Sequence, residues 1–243
     1  MTVFIALSLL WLSQDPARAA SLNPAVLEQI ACAPGGLPAP AAASMRVLGG
    51  SVHGRIMFGP GDAVIIYAGE NVQRGQQFIV RRPILDASRK QPKAGALYGV
   101  HTAGWLTVVD VKDMMAVATV THACDGILAG DYLEPFAPPV LPGEALAGAP
   151  DYGHPGQIVL ADERRQTGYP GLVMLMNRGS DNDVRAGQLL TIYRETLGGL
   201  GPILDVGRAT VLRVSAQSSL IRIDSSREPV YLGDLVAIHR ITQ

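Results

Sequence analysis

The sequence predicts a mainly β protein: two tandem small β-barrel-like repeats preceded by a short N-terminal helix. Three observations predict it. Short β-branched apolar runs, such as DAVIIY at 62–67 and QLLTIY at 188–193, alternate with polar glycine-containing turns. Gly 27 and Pro 17 in 243 residues suit short strands joined by many turns. The glycine marks also recur in one register in both halves. Gly61 and Gly69 are spaced as are Gly171 and Gly179. Gly75-Gln76 and Gly187-Gln188 each follow a valine, Val72 or Val184, by three residues. Gly104 and Gly207 each lie 26 residues before a Gly-Asp pair, Gly130-Asp131 or Gly233-Asp234. A fixed self-similarity of this kind is the mark of a duplicated unit.

The elements follow in order. Residues 1–19 read as a signal peptide: an uncharged apolar run at 3–12, too short to span a bilayer, precedes an A-x-A pattern at Ala17 and Ala19. The alternative is a buried N-terminal strand or helix. Residues 20–44 hold a helix, Asn23 to Cys32, with Asn23 as cap and Pro24 at the first helical position, and then a Pro/Ala/Gly connector. Repeat one spans 45–135. Its strands are 62–67, 77–81, 105–111, 115–121 and 132–134, with an exposed polar loop at 83–97. Residues 136–155 carry five prolines after Pro135, at 138, 139, 142, 150 and 155, and read as a semi-rigid linker. Repeat two spans 156–243, with strands at 157–161, 172–176, 188–193, 208–214, 219–223 and 235–239.

Within strands one face is buried, so Val109, Val111, Val120, Leu212, Val214, Ile221 and Ile223 are the expected core. Gly61, Gly69, Gly75, Gly130, Asp131, Gly171, Gly179, Gly187, Gly233 and Asp234 are the expected structural turn residues. Gly75 should superpose on Gly187, and Gly130 on Gly233.

Charge excludes more than it suggests. Lys+Arg 20 against Asp+Glu 21 gives a net charge of −1, so no nucleic-acid partner and no anionic membrane surface is indicated. No later segment is apolar enough to span a membrane. Arg81-Arg82 with Arg89, Lys90 and Lys93 reads as a solvated basic loop. The two cysteines, Cys32 and Cys124, form an even pair, which in an exported chain favours a disulfide over two buried thiols.

Catalytic and metal patterns are weak. G-x-S-x-G, S-x-x-K and H-E-x-x-H are absent. His53, His101, His122, His154 and His239 are scattered. His122 and Cys124 share a strand face, but two ligands do not make a zinc site. Asp181, Asp183, Asn177 and Asn182 lie in a turn without a calcium-loop pattern, and Gly179-Ser180-Asp181 belongs to the same turn. No cofactor is expected. An enzyme reading would need a site between the repeats, built from unshared residues such as His101, His122 or Asp125.

The second copy carries Asn177, Gly179, Val184, Gly187, Tyr193, Arg194, Gly207, Val211, Gly233 and Asp234. This pattern resembles the C-terminal domain of flagellar assembly protein T and like domains of other exported bacterial proteins. The first copy departs from it, with Tyr67 for Asn and Arg81 for Tyr. The whole chain, including Cys124-Asp125 and 130–135, resembles exported proteins of acidobacterial type. The resemblance implies a small β-barrel module with a structural or binding role. The expectation is therefore a periplasmic or extracellular, non-catalytic module contacting an envelope protein or a cell-wall polymer. The alternative is a periplasmic hydrolase with its site between the repeats.

Overall fold

The computed structural model describes residues 24–37, 44–52, 54–84, 98–139, 142–143, 145–161 and 165–240. The expected signal peptide, the Asn23 cap, His53, Arg89, Lys90 and Lys93 lie outside the described residues. One helix, α1 (Pro24–Cys32), leads into β1 (Gly35–Leu37). The first barrel contains β2 (Arg46–Gly50), β3 (Met57–Phe58), β4 (Ala63–Tyr67), β5 (Gln77–Pro83), β6 (Tyr98–Lys112), β7 (Met115–Ala123), β8 (Ile127–Leu128) and β9 (Tyr132–Pro135). The second contains β10 (Ala149–Ala161), β11 (Thr167–Gly168), β12 (Val173–Met176), β13 (Leu189–Glu195), β14 (Ile203–Val214), β15 (Ser219–Ser226), β16 (Val230–Tyr231) and β17 (Leu235–Arg240). No helix among the described residues is long and apolar enough to cross a membrane.

The strand orders show the duplication. The second unit is a closed barrel, β10-β12-β15-β14-β13-β17, with β17 returning to β10. The first runs β6-β5-β9-β2-β4-β7 and closes through β6–β7, with β1 added outside on the early part of β6. Replacing β2, β4, β7, β6, β5 and β9 by β10, β12, β15, β14, β13 and β17 maps one ring onto the other. The β3–β8 pair maps likewise onto β11–β16. Closure leaves no free sheet edge, so backbone donors and acceptors are satisfied around the ring.

The expected equivalences hold bond for bond. Gly75 N–H donates to Val108 O at 2.7 Å, and Gly187 N–H to Val211 O at 2.8 Å. Gly130 N–H donates to Val47 O, and Gly233 N–H to Ile158 O, both at 2.8 Å. Positive φ occurs at Gly61, Gly69, Gly75, Gly130, Gly171, Gly187 and Gly233. Gly179 differs: its φ is −142°, and its constraint is close approach, since a Cβ there would meet Ser215 O at 2.0 Å. This is where the two copies differ in loop length.

Each barrel has its own apolar centre. Val64, Ile66, Phe78, Val80, Leu106, Val108 and Val120 fill the first; Met174, Met176, Leu190, Ile192, Val211, Ile221 and Ile223 fill the second. Val111 and Val214 pack at the margins. One expected core position is corrected. Val109 is 37% exposed, because the β6–β7 register shifts between Val108 and Asp110 and turns it outward. Its equivalent Leu212 sits at the matching β14–β15 shift and also leaves the barrel interior. It is 3% exposed because Ile30 and Ala33 of the α1 region cover it, with Val173 and Leu220. Burying Ile30 completely contributes roughly 1.5–3 kcal/mol.

Three boundaries also move. The strand expected from Trp105 begins at Tyr98, so Gly104 lies inside β6. A Cβ at Gly104 would come 2.2 Å from His122 O, and one at Gly207 2.3 Å from Ser225 O, so both copies need glycine for strand contact. Arg81 and Arg82 belong to β5, not to a loop. β10 starts at Ala149, within the Pro-rich segment. A register shift between Asp151 and Gly156 accommodates Pro155, which has no N–H to give the ladder.

Candidate functional site

Each barrel carries the same buried acid–base latch. Strand β5 delivers Arg82 to Asp131, with Nε and one terminal nitrogen each 2.8 Å from a carboxylate oxygen. Strand β13 delivers Arg194 to Asp234 in the same two-pronged way, at 2.7 and 2.8 Å. The aspartates also accept the N–H of Leu128 and Tyr231, three residues back. Both aspartate side chains are 3% exposed. Hydrogen bonding to its aspartate is the first cause that holds each guanidinium above its ordinary pKa. The Gly-Asp pairs, expected as turn residues, are thus also the anchors of a planar bidentate pair. The fold needs these groups in both copies, so they are poor markers of chemistry.

Several polar residues that only one copy carries lie where the barrels meet. Cys32 closes a disulfide to Cys124 of barrel one, with Cα atoms 5.5 Å apart. The other face of the α1 region lies on barrel two, where Gln29 Nε2 also donates to Gly171 O at 2.9 Å. From β5, Arg81 donates to Thr102, whose hydroxyl donates to Ala33 O just after the helix. The helix is therefore bonded to both barrels.

Two concavities flank this clasp. The first, about 770 Å³, is lined by Glu28, Gln29, Arg82, His101, Cys124, Asp125 and Ala161, among others. His101 Nε2 is buried 3.3 Å from Asp125 Oδ2 without an aligned hydrogen bond. Arg82 reaches the same carboxylate at 3.5 Å. His122 stacks on Trp105 with ring centroids 4.2 Å apart, and its Nε2 lies 3.2 Å from Glu28 and 3.8 Å from Cys32 Sγ. Among the described residues the lining contains no serine, threonine or free thiol. His101 and Asp125 do meet, and His122 pairs elsewhere. The ligand atoms of Cys32, His122 and Cys124 lie within 4.8 Å of one another, but the two sulfurs are bonded to each other.

The second concavity, about 760 Å³, lies between Arg81 and Glu134 of barrel one and Ser180, Arg185, Arg213 and Ser215 of barrel two. Pro135, Pro138, Pro139 and Pro142 form one wall. Arg81 is 3.4 Å from Glu134. The Tyr132 hydroxyl is buried without a hydrogen bond, and burial first, then Glu134, pushes its pKa to about 12.

Sequence reasoning named His101, His122, Asp125 and the cysteines. It missed Glu28, Arg213 and the pairing of Arg81. The helical i, i+4 spacing of Glu28 and Cys32 would have put the carboxylate beside the disulfide. The Asp181–Asp183 turn gathers no metal-ligand cluster among the described residues. No family model matches the chain, and no curated protein matches it.

Proposed function

We propose that the protein is an exported, non-catalytic binding module of the bacterial cell envelope, which presents two coupled barrels to a partner protein or a cell-wall polymer. One observation carries the reading. What the copies share maintains the barrels, whereas several polar groups that only one copy carries, among them His101, Arg185 and Arg213, line the seam that α1 and the Cys32–Cys124 bridge hold together. Two barrels held by a helix that is disulfide-bonded to one and packed on the other keep a composite surface at fixed geometry, which lowers the ordering cost of binding. Among the described residues, the seam's first concavity has an acid–histidine contact without a nucleophile beside it, which supports binding over acyl transfer. A disulfide suits an oxidising compartment.

The test is capture of a partner from envelope extract, run beside co-sedimentation with purified peptidoglycan. Retention in either assay is expected. The hydrolase reading replaces this one if neither assay retains the protein while a hydrolase screen yields turnover that His122→Ala abolishes.

A further inference from the structure

The copies differ sharply at one seam position. Arg213 in β14 corresponds to Asp110 in β6, six residues after the matching glycine in each copy. Asp110 is exposed, so the barrel itself has no need of arginine there. Arg213 is instead half-buried in the concavity between the barrels. Among the described residues its side chain makes no hydrogen bond and no ion pair. Burial, and then the like charge of Arg81, push its guanidinium below the ordinary value. Arg185 opens into the same space, and its side chain has no ion-pair partner among the described residues. Ser180 and Ser215 add hydroxyl groups. Among the described lining residues, these three cations face one carboxylate, Glu134, which lies 3.4 Å from Arg81. A partly desolvated cation facing another cation destabilises the empty protein, and a guanidinium is the side chain best matched to a planar or tetrahedral oxyanion.

We propose that the second concavity is an oxyanion-binding site, with Arg213 as its central ligand, Arg185 at the mouth and Arg81 behind, taking a phosphate or carboxylate group carried by the bound partner. This deepens the binding-module reading and rests on it only for the identity of the partner. The site spans both barrels, so its occupancy adds to the clasp. The prolines of the wall present no N–H on that side, leaving recognition to the arginines and serines.

The purified full chain is titrated calorimetrically with inorganic phosphate and, separately, with a short peptide bearing a free C-terminal carboxylate. Both run at matched ionic strength with chloride as the control anion. Saturable binding of at least one is expected, and which one binds separates a phosphate-bearing polymer from a carboxylate-bearing peptide. Arg213→Met should lower that affinity by roughly tenfold or more, and Arg213→Lys should restore part of it. Without ligand, Arg213→Met should melt at a higher temperature than wild type, because an uncompensated charge is gone. The proposal is overturned if wild type shows no saturable heat with either ligand, or if Arg213→Met binds as wild type does. Should the Met variant not fold, the wild-type titrations alone decide. Envelope capture is a separate readout, so a partner retained by a protein that binds neither anion rejects this site and leaves the binding-module reading standing.

Discussion

Removing Asp234 should unfasten the second barrel, and the size of the effect follows from its partners. Asp234→Ala deletes both prongs to Arg194 and the acceptor for the Tyr231 N–H. Losing one member of a buried pair costs about 3–5 kcal/mol. Arg194 is 30% exposed and keeps Glu228 at 3.3 Å, so the lower end applies, about 3 kcal/mol. Chemical denaturation followed by circular dichroism measures it. A double-mutant cycle with Arg194→Met should return a coupling of about 2 kcal/mol. The melting shift carries further information. A 60–100-residue unit loses about 4–8 °C per kcal/mol, whereas a 150–250-residue unit loses about 2–4 °C. The clasp of α1 makes the barrels one cooperative unit, so a drop of about 6–12 °C is expected. A cost below about 1 kcal/mol, or no coupling to Arg194, would refute the latch.

Three further outcomes are expected. The cysteines should resist alkylation in the folded, unreduced protein and show the bridge by non-reducing mass spectrometry; Cys32→Ser with Cys124→Ser should cost about 2–4 kcal/mol, since the bridge closes a separation of 92 residues. Gly207→Ala should cost several-fold more stability in denaturant melts than Gly143→Ala, because only the first Cβ meets backbone, at 2.3 Å, while the second meets nothing within 4 Å. His239 is held below its usual pKa by burial and then by Arg208. Protonation therefore favours the unfolded chain: the contribution is full above the unfolded pKa of about 6.5 and is lost as pH falls from there toward the lower folded pKa, so urea melts should weaken over that window less in His239→Gln than in wild type.

The repeat was readable because its signals are local. A glycine needed for positive φ or for strand contact leaves its mark at one position, and the marks fell in one register. The latch was only half readable. Gly-Asp and the Tyr-Arg strand end were visible, but Arg82 and Asp131 are 49 residues apart, and pairing across a ring depends on strand order. Val109 left the core, and Leu212 is buried outside its barrel rather than inside it, for a shared reason. A bulge moves one residue to the opposite face without altering the apolar pattern. Leu212 is still buried, through α1, because an apolar outward residue needs a cover that sequence alternation does not name. Arg213 was not singled out in the sequence for a related reason: much of its surroundings comes from barrel one and the Pro-rich wall, far away along the chain. The Arg81-Arg82 pair looked like part of a basic loop because both partners, Glu134 on β9 and Asp131 just before it, lie 49 or more residues later.

The most direct measurement compares retention of three proteins by purified peptidoglycan and by envelope extract. One is wild type, one carries Arg185→Ala with Arg213→Met in the seam, and one carries Thr107→Ala with Thr121→Ala, an exposed hydroxyl pair on the wall of barrel one. Wild type and the threonine variant should be retained alike, and the seam variant should be lost from the same fraction. Equal retention of the seam variant would contradict the assignment of the second concavity as the contact surface.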